Sequence, residues 1–328
     1  MPELPEVEVV RAGLAPAVTG ATVASVTVFD ERSLRRHPGP AEDFVDRLIG
    51  RTMLAPQRRG KFMWIPLDGG SGDLGGGYGD GGIEHGAGGV EHRDGTSDTT
   101  GAGGPAALVA HLGMSGQVLL RDTATDDLRT RIRIDITHPD HGPLRLNFVD
   151  QRIFGSMAID TLEPTTDHPH QRVPTAVRHI ARDPLDALFD DALFLARLAA
   201  RRTTVKRAML DQTLISGIGN IYADESLWAA RIHYDQPTAT LSRARAKLLL
   251  AEVRLVLTKA LAEGGTSFDT QYLNVNGQSG YFAHSLNAYG QQGEPCPRCG
   301  RPIVRESFMN RGSHFCPHCQ RMRLRAAV

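Results

Sequence analysis

All four cysteines of this 328-residue chain lie near its end, as Cys296-x-x-Cys299 and Cys316-x-x-Cys319, with sixteen residues between the pairs. Each pair is spaced to turn two thiolates toward one tetrahedral ion, and the gap between the pairs fits a β-hairpin. Four cysteines are too few for a disulfide framework in a chain of this length, and a reducing compartment disfavours two disulfides. A redox reading requires a βαβ pattern around the pair, which is missing. The reading is one structural Zn2+ held by Cys296, Cys299, Cys316 and Cys319. All four positions are filled by protein, so no coordination site is left for a catalytic water. A module of this size folds with its metal.

The formal charge conceals the class of partner. Lys+Arg and Asp+Glu both number 37. The glycine-rich stretch 68–104 holds seven of the acids and one base, so the rest of the chain carries 36 bases against 30 acids. Arg197, Arg201, Arg202, Lys206 and Arg207 form an acid-free run, and seven arginines face two glutamates from Gln291 onward. Such local excess suits a polyanion, although a solvated basic face has the same composition. No run of about 18 apolar residues is present, which argues against a transmembrane helix. The opening MPELPEVEVVR has acids where a secretory signal has bases, so a cytoplasmic location is expected.

Hydrophobic periodicity divides the chain. Val7–Leu14 has helical spacing, with Pro16 as its stop. Strands are expected at 21–29, 61–67, 107–114, 117–121, 131–136, 144–150 and 156–160, with a short helix at 43–49. The stretch 68–104 has sixteen glycines in 37 residues. It is read as a disordered insertion joining two neighbouring strands, which loop-closure entropy tolerates. The segment 161–174 reads as a linker. Helices are expected at 183–201, 203–211, 220–231 and 241–263. The domains are therefore 1–162, a linker at 163–182, a helical domain at 183–290 and a zinc finger at 291–328.

Three further constellations carry chemistry. Met1 precedes a small residue and is removable, which would leave Pro2 with a free secondary amine. Such an amine is partly neutral at physiological pH and can add to a sugar carbon to give an iminium, with Glu3 or Glu6 as general acid or base. By itself, Pro-Glu near an N-terminus reads first as a helix start with acids favoured by its dipole. Lys61 follows the basic turn Arg58-Arg59-Gly60, and HLGMSG (111–116) and DQRIFG (150–155) read as turns. Met114, Arg152 and Phe154 are side chains of the kind that wedge into a base stack when a nucleotide is extruded. The glycine turn SGIG (216–219) opens a helix at Asn220, whose N–H groups could hold a phosphate; a plain helical hairpin has the same pattern.

As a set, PELPEVE, RRGK, HLGMSG, D-x-R-x-FG, GIGNIYADE, GGTS, GYF, YG-x-x-GEPC and FCPHCQ resemble bacterial formamidopyrimidine-DNA glycosylases from Pro2 to Gln320. The resemblance implies an α+β multi-domain fold. An N-terminal β-sandwich flanked by helices precedes a helix–two-turn–helix domain with a C-terminal β-hairpin zinc finger. It implies a bifunctional glycosylase and abasic-site lyase of base excision repair. Such an enzyme excises oxidised purines from duplex DNA without a soluble cofactor, acting as a monomer.

By the same resemblance Pro2 is the Schiff-base nucleophile, Glu3 the acid and Glu6 a supporting acid. Lys61 is the proton donor in β-elimination, and Arg311 a phosphate contact linked to δ-elimination. The implied DNA contacts are His111, Met114, Arg129, Arg131, Arg152, Phe154, Arg201, Lys206, Asn220 and Tyr222, with Arg152 facing the orphaned cytosine. The stretch 266–281 matches the loop that closes over the flipped base. Two positions depart from the pattern. Arg129 and Arg131 stand where many members carry His-x-His, and Gln291 replaces a common basic residue. The alternatives are an endonuclease VIII-type enzyme for oxidised pyrimidines and a non-catalytic binder of damaged DNA.

Overall fold

The structure, a computed structural model, describes residues 2–68, 105–266 and 282–323. The glycine-rich insertion and most of the stretch 266–281 lie outside the described residues.

The chain opens with α1 (Leu4–Val18), started by a capping box in which Glu3 and Glu6 satisfy each other's ends. Pro16 does not stop this helix. The helix runs on to Val18 because Ala17 and Val18 are buried in the core, and Thr19 closes it by donating to the Ala15 carbonyl. The strands β1 (Thr22–Val28), β2 (Thr52–Met53), β3 (Gln57–Arg59), β4 (Phe62–Asp68), β5 (Ala106–His111), β6 (Gly116–Arg121), β7 (Thr130–His138), β8 (Gly142–Asp150), β9 (Ser156–Pro164) and β10 (Arg172–Pro174) form one antiparallel sheet. The order along it is β10-β9-β5-β4-β2-β1-β7-β8-β6, with β3 on β4. A short helix α2 (Ala41–Asp46) inserts Phe44 into the core.

Alternation along the strands creates two apolar faces. Met63, Ile65 and Leu108 point into a core shared with Ile134 and Phe148 from the other half of the sheet and with α1. The sheet therefore folds over on itself as a sandwich. Trp64 and Val109 point outward and pack on Val173, Val177 and Ile180. β4 and β5 pair from Phe62↔His111 to Leu67↔Ala106, so the insertion does join adjacent strands. The segment expected to be a linker instead extends β9 to Pro164 and supplies the edge strand β10, because Val173 and Val177 cover Trp64.

The helical half holds α3 (Asp191–Ala200), α4 (Val205–Met209), α5 (Asn220–Ala229) and α6 (Arg243–Ala262). α3 starts at Asp191, later than its periodicity suggests. Asp183 and Asp186 each accept a backbone N–H two residues ahead and make turns, and Asp190 caps the helix through Leu193 N at 2.9 Å. A hairpin of β11 (Val304–Phe308) and β12 (Arg311–Phe315) buries Phe308 and Phe315 in the helical core. Arg58 ties the halves together, donating to Glu8 on α1 and to Asp183 before α3, both at 2.9 Å.

Candidate active site

The N-terminal segment lies where the two halves meet. Pro2 and Glu3 are buried. Leu4 N donates to the Gly217 carbonyl at 2.9 Å, docking the start of α1 on the turn before α5. The Glu3 carboxylate accepts from the backbone N–H of Gly219, of Ile221 at 2.9 Å and of Tyr222 at 3.4 Å. The phosphate-like site expected at the N-terminus of α5 is thus filled by the protein's own carboxylate. Glycine is required at 219: a Cβ there would lie 2.4 Å from the Glu3 carboxyl.

Two opposing influences set the charge of Glu3. Burial pushes its carboxyl up from 4.5 to about 6, and nearby Glu6 adds to the rise. The Lys61 ammonium and the Ile221 and Gly219 N–H groups pull it down. Glu6 faces the other way. It accepts from the Tyr222 hydroxyl at 2.6 Å and from Thr266 N and Oγ1 at 2.8 and 2.9 Å.

Lys61 sits at the turn between β3 and β4 in a cavity of about 290 Å3. Phe62 and His111 of the sheet also line it, as do Gln212 before α5 and Arg311 on β12, so three parts of the chain converge there. Burial holds the Lys61 ammonium below its usual range; Glu3 and Glu6 oppose this and Arg311 reinforces it. His111 is pushed from 6.5 to about 4 by burial and by Arg36, Arg35 and Lys61, so it is neutral at pH 7. Its Nδ1 accepts from Gly113 N at 3.2 Å, which leaves the proton on Nε2.

The two turns read as wedges are locked together. Asp150 accepts from Ser115 Oγ, from Arg152 N at 3.1 Å and from Gly155 N at 2.6 Å. Gly113, with φ of 63°, lies so close to the Phe154 carbonyl that a Cβ would reach it at 2.3 Å. Met114 and Phe154 remain 42% and 48% exposed on these two turns. Arg152 is exposed beside them. The sequence reading missed Arg35, whose guanidinium donates to the carbonyls of Ile153 (2.7 Å), Phe154 and Gly155 (3.0 Å). No motif around Arg35 signals this, because its partners lie more than 110 residues away.

The other expected DNA contacts divide. Arg129 is exposed at the entry to β7, with φ of 68°. Arg201 is about one-third exposed and pairs with Asp211 at 2.9 Å. Asn220 is half-buried, and its Nδ2 donates to Gly312 O at 3.0 Å. Three of the expected contacts take partners within the protein. Arg131 donates to Asp150 O at 2.8 Å and faces Asp30 at 3.4 Å, so it braces the start of the 150–155 turn. Tyr222 is fully buried, with its hydroxyl on Glu6. Lys206 is fully buried with its ammonium 2.6 Å from Asp224.

The four cysteine sulfurs lie within 4.8 Å of one another, and those of Cys299 and Cys316 are 3.5 Å apart. Tetrahedral zinc with bonds of about 2.3 Å requires sulfurs about 3.8 Å apart, so this set fits one structural zinc. Trp228 Nε1 donates to Cys296 Sγ at 3.4 Å, and the Arg298 guanidinium stacks 4.0 Å from the Trp228 ring. These contacts tie the end of α5 to the finger.

Comparison with known proteins is consistent along the chain. Residues 1–157 match the formamidopyrimidine-DNA glycosylase N-terminal domain and 180–272 the H2TH domain of the same enzyme; 293–321 match the zinc finger found in FPG and IleRS. A formamidopyrimidine-DNA glycosylase of Leifsonia xyli is 59% identical, covering 98% of this chain and 100% of its own. The enzyme of Streptomyces avermitilis is 50% identical, covering 98% of both chains. The crystal structure of the MutM (Fpg) protein of Thermus thermophilus has a TM-score of 0.72 at 30% identity, covering 98% of this chain and 99% of its own. A Lactococcus lactis Fpg mutant in complex with DNA containing Fapy-dG has a TM-score of 0.74 at 27% identity, covering 98% and 100%.

Proposed function

The chain belongs to the formamidopyrimidine-DNA glycosylase family, as a DNA glycosylase of base excision repair with abasic-site lyase activity, and from this we propose that Pro2 is its nucleophile and oxidised purines its substrates. The observation that carries the assignment is the seating of Glu3 on the N-terminus of α5. It holds the adjacent Pro2 at the junction of the two halves, beside a carboxyl whose affinity for a proton is raised to about 6.

Damaged duplex DNA binds across the cleft, and the lesion is turned out of the stack. Met114, Arg152 and Phe154 fill the space it leaves, held by Asp150 and Arg35. With Met1 removed, the Pro2 nitrogen attacks C1′ of the sugar, the C1′–N bond to the base breaks, and the proton that the Pro2 nitrogen gives up leaves on the base. The sugar ring opens as its C1′–O4′ bond breaks, and O4′ takes a proton from Glu3. The result is an iminium between Pro2 and C1′. The iminium acidifies the C2′ proton. Its loss expels the 3′ phosphate, with Lys61 as proton carrier, and a second elimination expels the 5′ phosphate, with Arg311 against the phosphate. Water then hydrolyses the C1′–N bond and frees the sugar remnant from Pro2, and a one-nucleotide gap with phosphate ends remains. The zinc takes no part in these steps; it shapes the hairpin that presents Arg311. In this reading the protein acts as a monomer on DNA in the cytoplasm.

Borohydride trapping on end-labelled duplexes tests the assignment. An adduct with 8-oxoguanine opposite cytosine is expected, and Pro2→Gly abolishes it. An adduct chiefly with an oxidised pyrimidine moves the assignment to the endonuclease VIII type. Binding of damaged duplex without any adduct removes the catalytic claim.

A further inference from the structure

Lys206 poses a question that the proposed chemistry leaves open. An ammonium with no exposed surface is costly unless it is paired and hydrogen-bonded, and Lys206 is both. Its Nζ lies 2.6 Å from Asp224 Oδ1 and donates to Ser313 Oγ at 3.0 Å and to Gly312 O at 3.4 Å. Asp224 continues the grip, accepting from Ser313 Oγ at 3.0 Å and from His314 N at 2.8 Å. Asn220, one turn earlier on the same face of α5, donates to Gly312 O at 3.0 Å. The three residues that follow Arg311 are therefore all held by one buried network.

We propose that the Lys206–Asp224 pair is a positioning device that fixes the start of β12, and so presents Arg311 to the cleft. The inference rests on the role given above to Arg311. α5 is then a common ruler. Its first N–H groups hold Glu3, and Asn220 and Asp224 hold the strand that carries Arg311. The distance between the acid and the arginine is set by one rigid helix rather than by two flexible side chains. The zinc anchors the same strand from its far end, at Cys316.

The test uses the zinc-loaded full chain on duplexes with a preformed abasic site, and reads the ratio of β-elimination to β,δ-elimination product. Arg311→Ala serves as the benchmark and is expected to raise the ratio. Lys206→Met and Asp224→Asn are each expected to raise it on the order of tenfold, since misplacement by an ångström has effects of that size or more. The double variant is expected to be no worse than either single. Zinc content stays at one, the Pro2 adduct still forms, and the dependence of DNA affinity on salt stays that of the unaltered protein. Ser313→Ala, which removes the bridge and keeps the pair, is expected to give a smaller rise and covers the case in which the charge variants do not fold. A salt slope reduced by about one in Lys206→Met but not in Asp224→Asn would make Lys206 a phosphate contact and overturn the proposal. So would an unchanged product ratio in both single variants while Arg311→Ala shifts it. An unchanged ratio in Arg311→Ala would remove the role of Arg311 itself, and this inference with it.

Discussion

Glu3→Gln gives a quantitative test of the electrostatics at the junction. The carboxyl is fully buried and binds its proton more tightly in the folded protein than in the open chain, having moved from 4.5 to about 6. A tenfold change in proton affinity corresponds to about 1.4 kcal/mol, so the move is linked to about 2 kcal/mol of folding free energy. The folded state binds more protons than the unfolded one between these two values. This stabilisation is complete below pH 4.5 and is lost as the pH rises through about 6. Glutamine does not titrate and lacks that loss. The stability of Glu3→Gln relative to the unaltered protein should therefore improve by about 2 kcal/mol between about pH 4 and about pH 7.5. A constant offset is also expected, because the amide NH2 faces the N–H donors of α5, but it cancels in the comparison between the two pH values. Urea unfolding of both zinc-loaded proteins at the two pH values, at one ionic strength, measures the difference. A difference independent of pH would refute the reasoning. A change of opposite sign would mean that Lys61 and the backbone N–H groups outweigh burial, and that Glu3 is held as a carboxylate.

Arg35→Ala removes three hydrogen bonds to the 153–155 carbonyls and should cost about 2–3 kcal/mol of stability. Excision of 8-oxoguanine opposite cytosine should slow more than cleavage at a preformed abasic site, as single-turnover rates on the two duplexes would show. Gly113→Ala forces a Cβ against the Phe154 carbonyl at a positive φ, and a loss of roughly 2–4 kcal/mol is expected from the shift in unfolding midpoint. Stripping the metal with a chelator, or Cys296→Ser, should unfold the 295–320 module and release zinc in a colorimetric assay. Tight DNA binding should be lost on a gel while the far-UV signal of the sheet persists.

Much of the site was legible where chemistry depends on local spacing. The cysteine pairs, the two glycine-bearing turns at 111–116 and 150–155 and the strands around Lys61 could be read because ligand geometry, turn residues and period-2 alternation are properties of a few neighbouring residues. Element ends were less legible. Pro16 reads as a stop, but burial of Ala17 and Val18 carries the helix past it. Pro- and Thr-rich 161–174 reads as a linker, yet Trp64 needed a cover and Val173 and Val177 supplied it.

The β-then-α order, the zinc module and the residue types at Pro2, Glu3 and Lys61 follow from the order of the residues. Which polar groups meet is settled only once the chain has folded. Glu3 finds the N–H groups of α5 more than 210 residues away, Arg35 finds a turn more than 110 residues away, and Lys206 finds Asp224. The physical reason is that burial makes an unpaired charge or N–H costly, so each must take the partner that folding brings near, and the linear order does not say which partner that is.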